Sequence, residues 1–102
     1  MMIHVFVPYP KFKAHYGVTL LKDCKRIIND EIFAVADEHS KRASAQWIWN
    51  NEGNKRIGIS FYIDTDDSEL DTFIALFEDI SEEFQVFESA EDFHNYVLNI
   101  FA

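Results

Sequence analysis

At 102 residues the chain has the length of one domain, enough to bury roughly two-thirds of the surface its unfolded form exposes. Hydrophobic residues make up 48% and aromatics 16%, with three glycines and two prolines, which excludes the disordered and collagen-like classes, while a single cysteine excludes an internal disulfide. The formal charge of −9 is unevenly laid out: residues 1–56 hold all nine Lys and Arg and six acids, net +3, and residues 57–102 hold twelve acids and no Lys or Arg, net −12.

The N-terminal MMIHVFVPYPKFK has no basic segment ahead of its short apolar run, and no apolar stretch approaches the eighteen or so residues of a membrane span. A soluble, cytoplasmic, single-domain protein spanning residues 1–102 is therefore expected. Ile3, Val5 and Val7 alternate with His4 and Phe6 as a first strand, which Pro8-Tyr9-Pro10 ends because proline cannot donate to a ladder. From Thr19, Leu20, Leu21, Cys24, Ile27 and Ile28 recur at helical spacing. Residues 32–39, IFAVADEH, either continue that helix or form a short strand.

SAQWIWN and RIGISFYI flank Asn51-Glu52-Gly53-Asn54, a hairpin signal because Gly and Asn tolerate the left-handed backbone of tight turns. In the second of these strands Ile57, Ile59, Phe61 and Ile63 share one face, and Gly58, Ser60 and Tyr62 the other. A three-residue loop with Gly53 at a left-handed bulge position sets Asn50 against Asn54 and Trp47 against Ile57, taking Trp47 and Trp49 into the core. An even-length loop turns both tryptophans to the far face.

Ser68-Glu69-Leu70-Asp71 opens the next helix, with the Ser oxygen placed to accept from a free backbone N–H, and Leu70, Phe73, Ile74, Phe77 and Ile80 form its buried stripe. Residues 83–88, EFQVFE, alternate as a strand. Ser89-Ala90-Glu91-Asp92 repeats the capping signal ahead of a last helix whose apolar face is Phe93, Tyr96, Val97, Ile100 and Phe101. The order β-α-β-β-α-β followed by a C-terminal helix predicts an α+β fold, a ferredoxin-like split βαβ sandwich built on an antiparallel sheet.

Residues 63–84, IDTDDSELDTFIALFEDISEEF, concentrate nine acids. Asp64, Asp66 and Ser68 match the first three ligand positions of an EF-hand loop, but Glu69 stands where the turn needs Gly and Ala75 where it needs a bidentate Glu, so that calcium reading fails. His4, His15, His39 and His94 fall in four separate segments without metal-ligand spacing, Cys24 lies on an apolar helix face, and no nucleophile-elbow or phosphate-cradling glycine motif occurs. No cofactor, metal or catalytic residue is expected. Phe6, Tyr62 and Phe87 on a sheet face invite comparison with base-stacking RNA-binding domains, but KRIGISFY lacks their glycine-aromatic signature, and a charge of −9 repels phosphate.

The acids themselves remain. Asp71, Glu78, Asp79 and Glu82 fall away from the apolar stripe of the helix predicted from Ser68, joined by Glu69 at its start and Glu83 just past its end; Asp64, Asp66 and Asp67 precede it. Helix-surface neighbours lie about 5–6 Å apart, of the order of phosphate spacing along a nucleic acid. The expectation is a small non-catalytic inhibitor, of the immunity-protein or phage anti-defence kind, that sets these carboxylates and a Tyr62 anchor against the basic groove of a nuclease or another nucleic-acid-acting protein. A regulatory or oligomerisation domain using an open sheet face is the other class of reading.

Overall fold

The computed structural model describes residues 1–39 and 41–101, excepting the side chains of Ala90, Ile100 and Phe101. Alternation in Met2–Pro8 produces the first strand, β1; its Ile3, Val5 and Val7 are fully buried on one face. Chain direction reverses at once into a short helix, α1 (Tyr9–Tyr16), which no helical periodicity in the sequence announces. Two prolines suit that junction: Pro8 ends the ladder and Pro10 occupies the first helical turn, where its missing N–H leaves no bond unmade. Gly17, at φ 67°, supplies the left-handed C-cap.

The next helix, α2 (Leu21–Ile27), runs through a π-helical turn (Ile28–Phe33) into α3 (Ala34–Glu38), so residues 32–38 continue the helix. The wider π turn keeps Ile28, Ile32 and Ala36 buried on one side. After it come β2 (Arg42–Trp49), β3 (Arg56–Asp64), α4 (Leu70–Phe77) preceded by a 3₁₀ turn at Asp67–Glu69, β4 (Glu83–Phe87) and α5 (Ala90–Phe101). The fold is α+β: a four-stranded antiparallel sheet in the order β2-β3-β1-β4 with helices packed on it.

Register fixes the faces. Ile3, Val5 and Val7 of β1 stand opposite Ile63, Phe61 and Ile59 of β3, and this face packs against Phe12, Cys24, Ile32, Phe73 and Phe77 of the helices. His4, Phe6, Ser60, Tyr62 and Phe87 occupy the opposite face, where Phe93 and Tyr96 of α5 contact them. Ile100 and Phe101, expected beside them, lie outside the described side chains.

The hairpin departs from the odd-loop expectation in an instructive way. Gly53 is left-handed, at φ 72°, as expected, and Asn50 meets Asn54 through its side chain, its Nδ2 donating to Asn54 Oδ1 at 2.9 Å and its Oδ1 accepting from Asn54 N–H at 3.1 Å. Asn50 N–H, however, closes on Lys55, leaving an even four-residue loop. A bulge then sets Trp49 against Arg56 and Ile48 against Gly58, with Ile57 as the extra residue. The even loop and the bulge each shift the alternation by one, and together they restore Trp47 to the core face. It stands opposite Ile59, not Ile57, and is half-buried; Trp49 is 42% and Ile57 41% exposed, so Trp49 does not join the core.

Candidate protein-binding surface

The helix expected to carry the acidic face is shorter than its periodicity implies. It stops at Phe77; Glu78 and Asp79 sit in a turn, Glu82 in a bend whose N–H donates to the Phe6 carbonyl, and Glu83 is the first residue of β4. Ile80 stays buried although it is no longer helical, and Ile74, expected in the buried stripe, is 39% exposed. Ser68 does not cap a backbone N–H: its hydroxyl donates to Asp66 Oδ1 at 2.6 Å.

As a result the nine carboxylates form two groups. Asp64 ends β3 opposite Met2, and Asp66, Asp67 and Glu69 follow it in the β3–α4 connection. Glu82 and Glu83 lie beside Phe6, four residues along β1 from Met2, or about 13 Å at the rise of a strand. Glu78 and Asp79, in the turn after α4, precede this second group in the chain, and Asp71, exposed on α4, falls between the two groups in sequence.

The two groups differ electrostatically. In the first, Lys41 Nζ lies 2.5 Å from Asp66 Oδ2 and, with the Ser68 hydroxyl, holds that carboxyl down at about 2. His39 Nδ1 is 2.7 Å from Glu69 Oε2, and Arg42 faces Asp64 across the β2–β3 ladder. An open concavity of about 330 Å³ between Met1, Asp66, Asp67 and Glu88 adds a carboxylate from beyond β4, one that lies outside the nine acids of residues 63–84. In the second group Glu78, Asp79, Glu82 and Glu83 are all exposed, and none forms an ion pair among the described residues.

Tyr62 is half-buried beneath α5. Its ring stacks on His4 at 4.9 Å and meets the edge of Phe93 at 5.8 Å; its free margin lines a shallow groove with Met2, Ser44, Gln46 and Val97. The helix thus occupies the sheet face on which Tyr62 and Phe87 would have had to stack bases. At the centre of that contact His4 is 5% exposed, its Nε2 3.1 Å from Ser60 Oγ and its Nδ1 2.9 Å from the Tyr96 hydroxyl. Burial lowers the His4 pKa, opposed in part by the Glu83 charge, and burial raises that of Tyr96. Alternation in the sequence marks His4 only as a strand residue. The signal was present in its sharing a face with Ser60 and Tyr62, the polar members of β3, under a Tyr on the apolar stripe of α5.

Elsewhere Cys24 is fully buried among apolar side chains. No group of three His, Cys, Asp or Glu is arranged to hold a metal ion among the described residues, and no described helix is long and apolar enough to cross a membrane. Set against protein-family models, curated proteins and solved structures, the chain matches none of them.

Proposed function

We propose that the protein is a small, non-catalytic, cytoplasmic inhibitor that docks its acidic surface on the basic groove of a nuclease or another nucleic-acid-acting protein, in the manner of immunity or anti-defence proteins. The observation that carries this reading is the cluster of four exposed carboxylates, Glu78, Asp79, Glu82 and Glu83, with no ion-pair partner among the described residues, in a half of the chain without Lys or Arg. Clustered like charges on one short stretch cost stability and raise the rate of encounter with a cationic partner. The Asp64, Asp66, Asp67, Glu69 group, drawn toward Lys41, Arg42 and His39, supplies the rim, with Asp71 between the groups and the margin of Tyr62 as an aromatic contact. The scaffold fits the ferredoxin-like split βαβ sandwich: read from the other edge, the strand order is β4-β1-β3-β2, which places β3 between β1 and β2 and β1 between β3 and β4.

The test begins with capture of binders from cells on the immobilised chain, followed by association kinetics of each purified binder at low and high salt. The expected binder is a basic, nucleic-acid-acting protein whose association slows steeply with salt. Its association with a Glu78→Gln, Asp79→Gln, Glu82→Gln, Glu83→Gln variant should slow about tenfold or more while dissociation changes little. An association rate indifferent to both salt and these four substitutions removes the basis of the proposal.

A further inference from the structure

Both edges of the sheet are strands, and the sequence treats them differently. The β4 edge is five residues long, opens on Glu83 and is followed by Glu88, the usual defence of a free edge by charge. The β2 edge is eight residues long and carries no Lys, Asp, Glu or Pro from Ala43 to Trp49. Ser44, Ala45 and Gln46 in its middle are exposed, and among the described residues no backbone hydrogen bond reaches its outer side. An unprotected edge of this length is a template for another strand.

We propose that the chain forms a twofold homodimer through β2, two copies pairing antiparallel so that the sheet continues as eight strands. The phase of the ladder selects the register. Asn50 N–H points inward to Lys55, and an antiparallel strand directs successive residues alternately to its two neighbours. Ile48, Gln46 and Ser44 therefore face β3, and Ala43, Ala45 and Trp47 present their N–H and C=O outward; the bulge does not disturb this, because the extra residue belongs to β3. A twofold centred on Ala45 sets Ala45 against Ala45 and Trp47 against Ala43 of the second copy. Each indole then lies over a methyl group, large against small, without a clash of tryptophans. On the other sheet face Ser44 meets Gln46, a polar pair repeated by the symmetry.

Charge permits this association in a chain of net −9. Glu82, Glu83 and Glu88 border β4, three strands from β2, or about 14 Å. The twofold carries the two acidic edges to opposite outer ends, leaving them exposed. Near the seam stand Arg42 and Lys41, the latter already paired with Asp66. The dimer is thus independent of the inhibitor reading.

Sedimentation equilibrium on the full chain tests it. The expected mass is twice the 12.0 kDa chain, retained at high salt because the seam is made of backbone bonds and apolar contact. Ala45→Lys and Ala45→Glu should each sediment as monomers with unchanged circular dichroism, since like charges meet at the twofold, and mixing them should restore the double mass. Gln85→Lys on β4 should leave the dimer intact. Hydrogen exchange on the unaltered chain gives a reading that no substitution can confound: the Ala43, Ala45 and Trp47 amides should be protected in proportion to dimer present. A wild-type mass of 12.0 kDa at every concentration, a double mass that survives both Ala45 variants, or fast exchange at those three amides overturns the proposal.

Discussion

His4 is the residue whose burial has the clearest thermodynamic consequence. Its folded pKa is depressed, so below about pH 6.5 the unfolded chain binds a proton that the folded chain resists. Stability contributed by the neutral, hydrogen-bonded ring is present above that pH and lost as pH falls through it. The melting temperature should drop between about pH 7.5 and pH 5.5, and His4→Gln, which keeps a polar side chain without the titration, should show a smaller drop over the same window. Asp66 titrates elsewhere: held at about 2 by Lys41, it contributes above about pH 4 and loses that contribution only as pH falls through its folded value. A second residue-scale constraint is Gly58, where an added Cβ would meet the Phe6 ring and lie 2.8 Å from the Val7 carbonyl oxygen. Gly58→Ala should cost about 1–3 kcal/mol in urea unfolding, as overpacking of a closed site does. Adding Phe6→Leu should return part of that loss.

At the scale of elements, the two serine capping signals separate cleanly. Ser89 Oγ accepts from Asp92 N–H at 3.1 Å and so caps α5, whereas Ser68 donates to Asp66 and caps no backbone N–H. Ser89→Ala should destabilise by about 1 kcal/mol and Ser68→Ala by a few tenths at most, compared by denaturant midpoints. Both serines precede acids and an apolar stripe, so sequence alone gave them the same role; the difference arises because the chain after β3 enters through a 3₁₀ turn. Elements with a strong period were legible: β1, β3, β4, α2 and α5 lie where alternation or helical spacing put them. The helix α1 was not, since Phe12 is its only buried residue, and Pro10, two lysines and the preceding Pro8 mask the pattern. Its formation is set by tertiary contact: Phe12 is fully buried in the core with Tyr9 and Tyr16 packed against it, and the Tyr9 ring meets Trp47 of β2 edge-on at 5.4 Å. The bulge at Ile57 was equally hidden, because one extra residue leaves the composition of β3 unchanged while resetting its pairing. Arg56 fills the resulting corner, its guanidinium 5.0 Å from Trp47 and 4.4 Å from Trp49. Of the candidate site, the composition was readable and the grouping was not: periodicity carried the helix on to Glu82, but the chain leaves it after Phe77 to bring Glu83 into register with Phe6.

For the whole molecule, the uneven charge of the chain is only partly compensated by the fold: Lys41, Arg42 and His39 meet the acids that follow β3, while Glu78, Asp79, Glu82 and Glu83, just before and at the start of β4, have no ion-pair partner among the described residues. Such a layout stores repulsion among Glu78, Asp79, Glu82 and Glu83 that folding does not relieve, since the described ion pairs engage only Asp66 and Glu69. Screening weakens repulsion between exposed charges progressively as the Debye length shortens toward their separation, from about 30 Å at 0.01 M salt to about 8 Å at 0.15 M. Stability should therefore rise with salt, opposite to the trend of a fold held by surface ion pairs. The magnitude follows from pair energies of a few tenths of a kcal/mol between neighbouring like charges, summing to about 1 kcal/mol over the cluster. Replacing those four acids by glutamine should raise the melting temperature at low salt and flatten its salt dependence, measured by thermal melts across the same salt range. A four-glutamine protein that melts lower than the wild type at low salt would mean that the carboxylates hold the fold together, leaving no reserve of repulsion for a cationic partner to relieve.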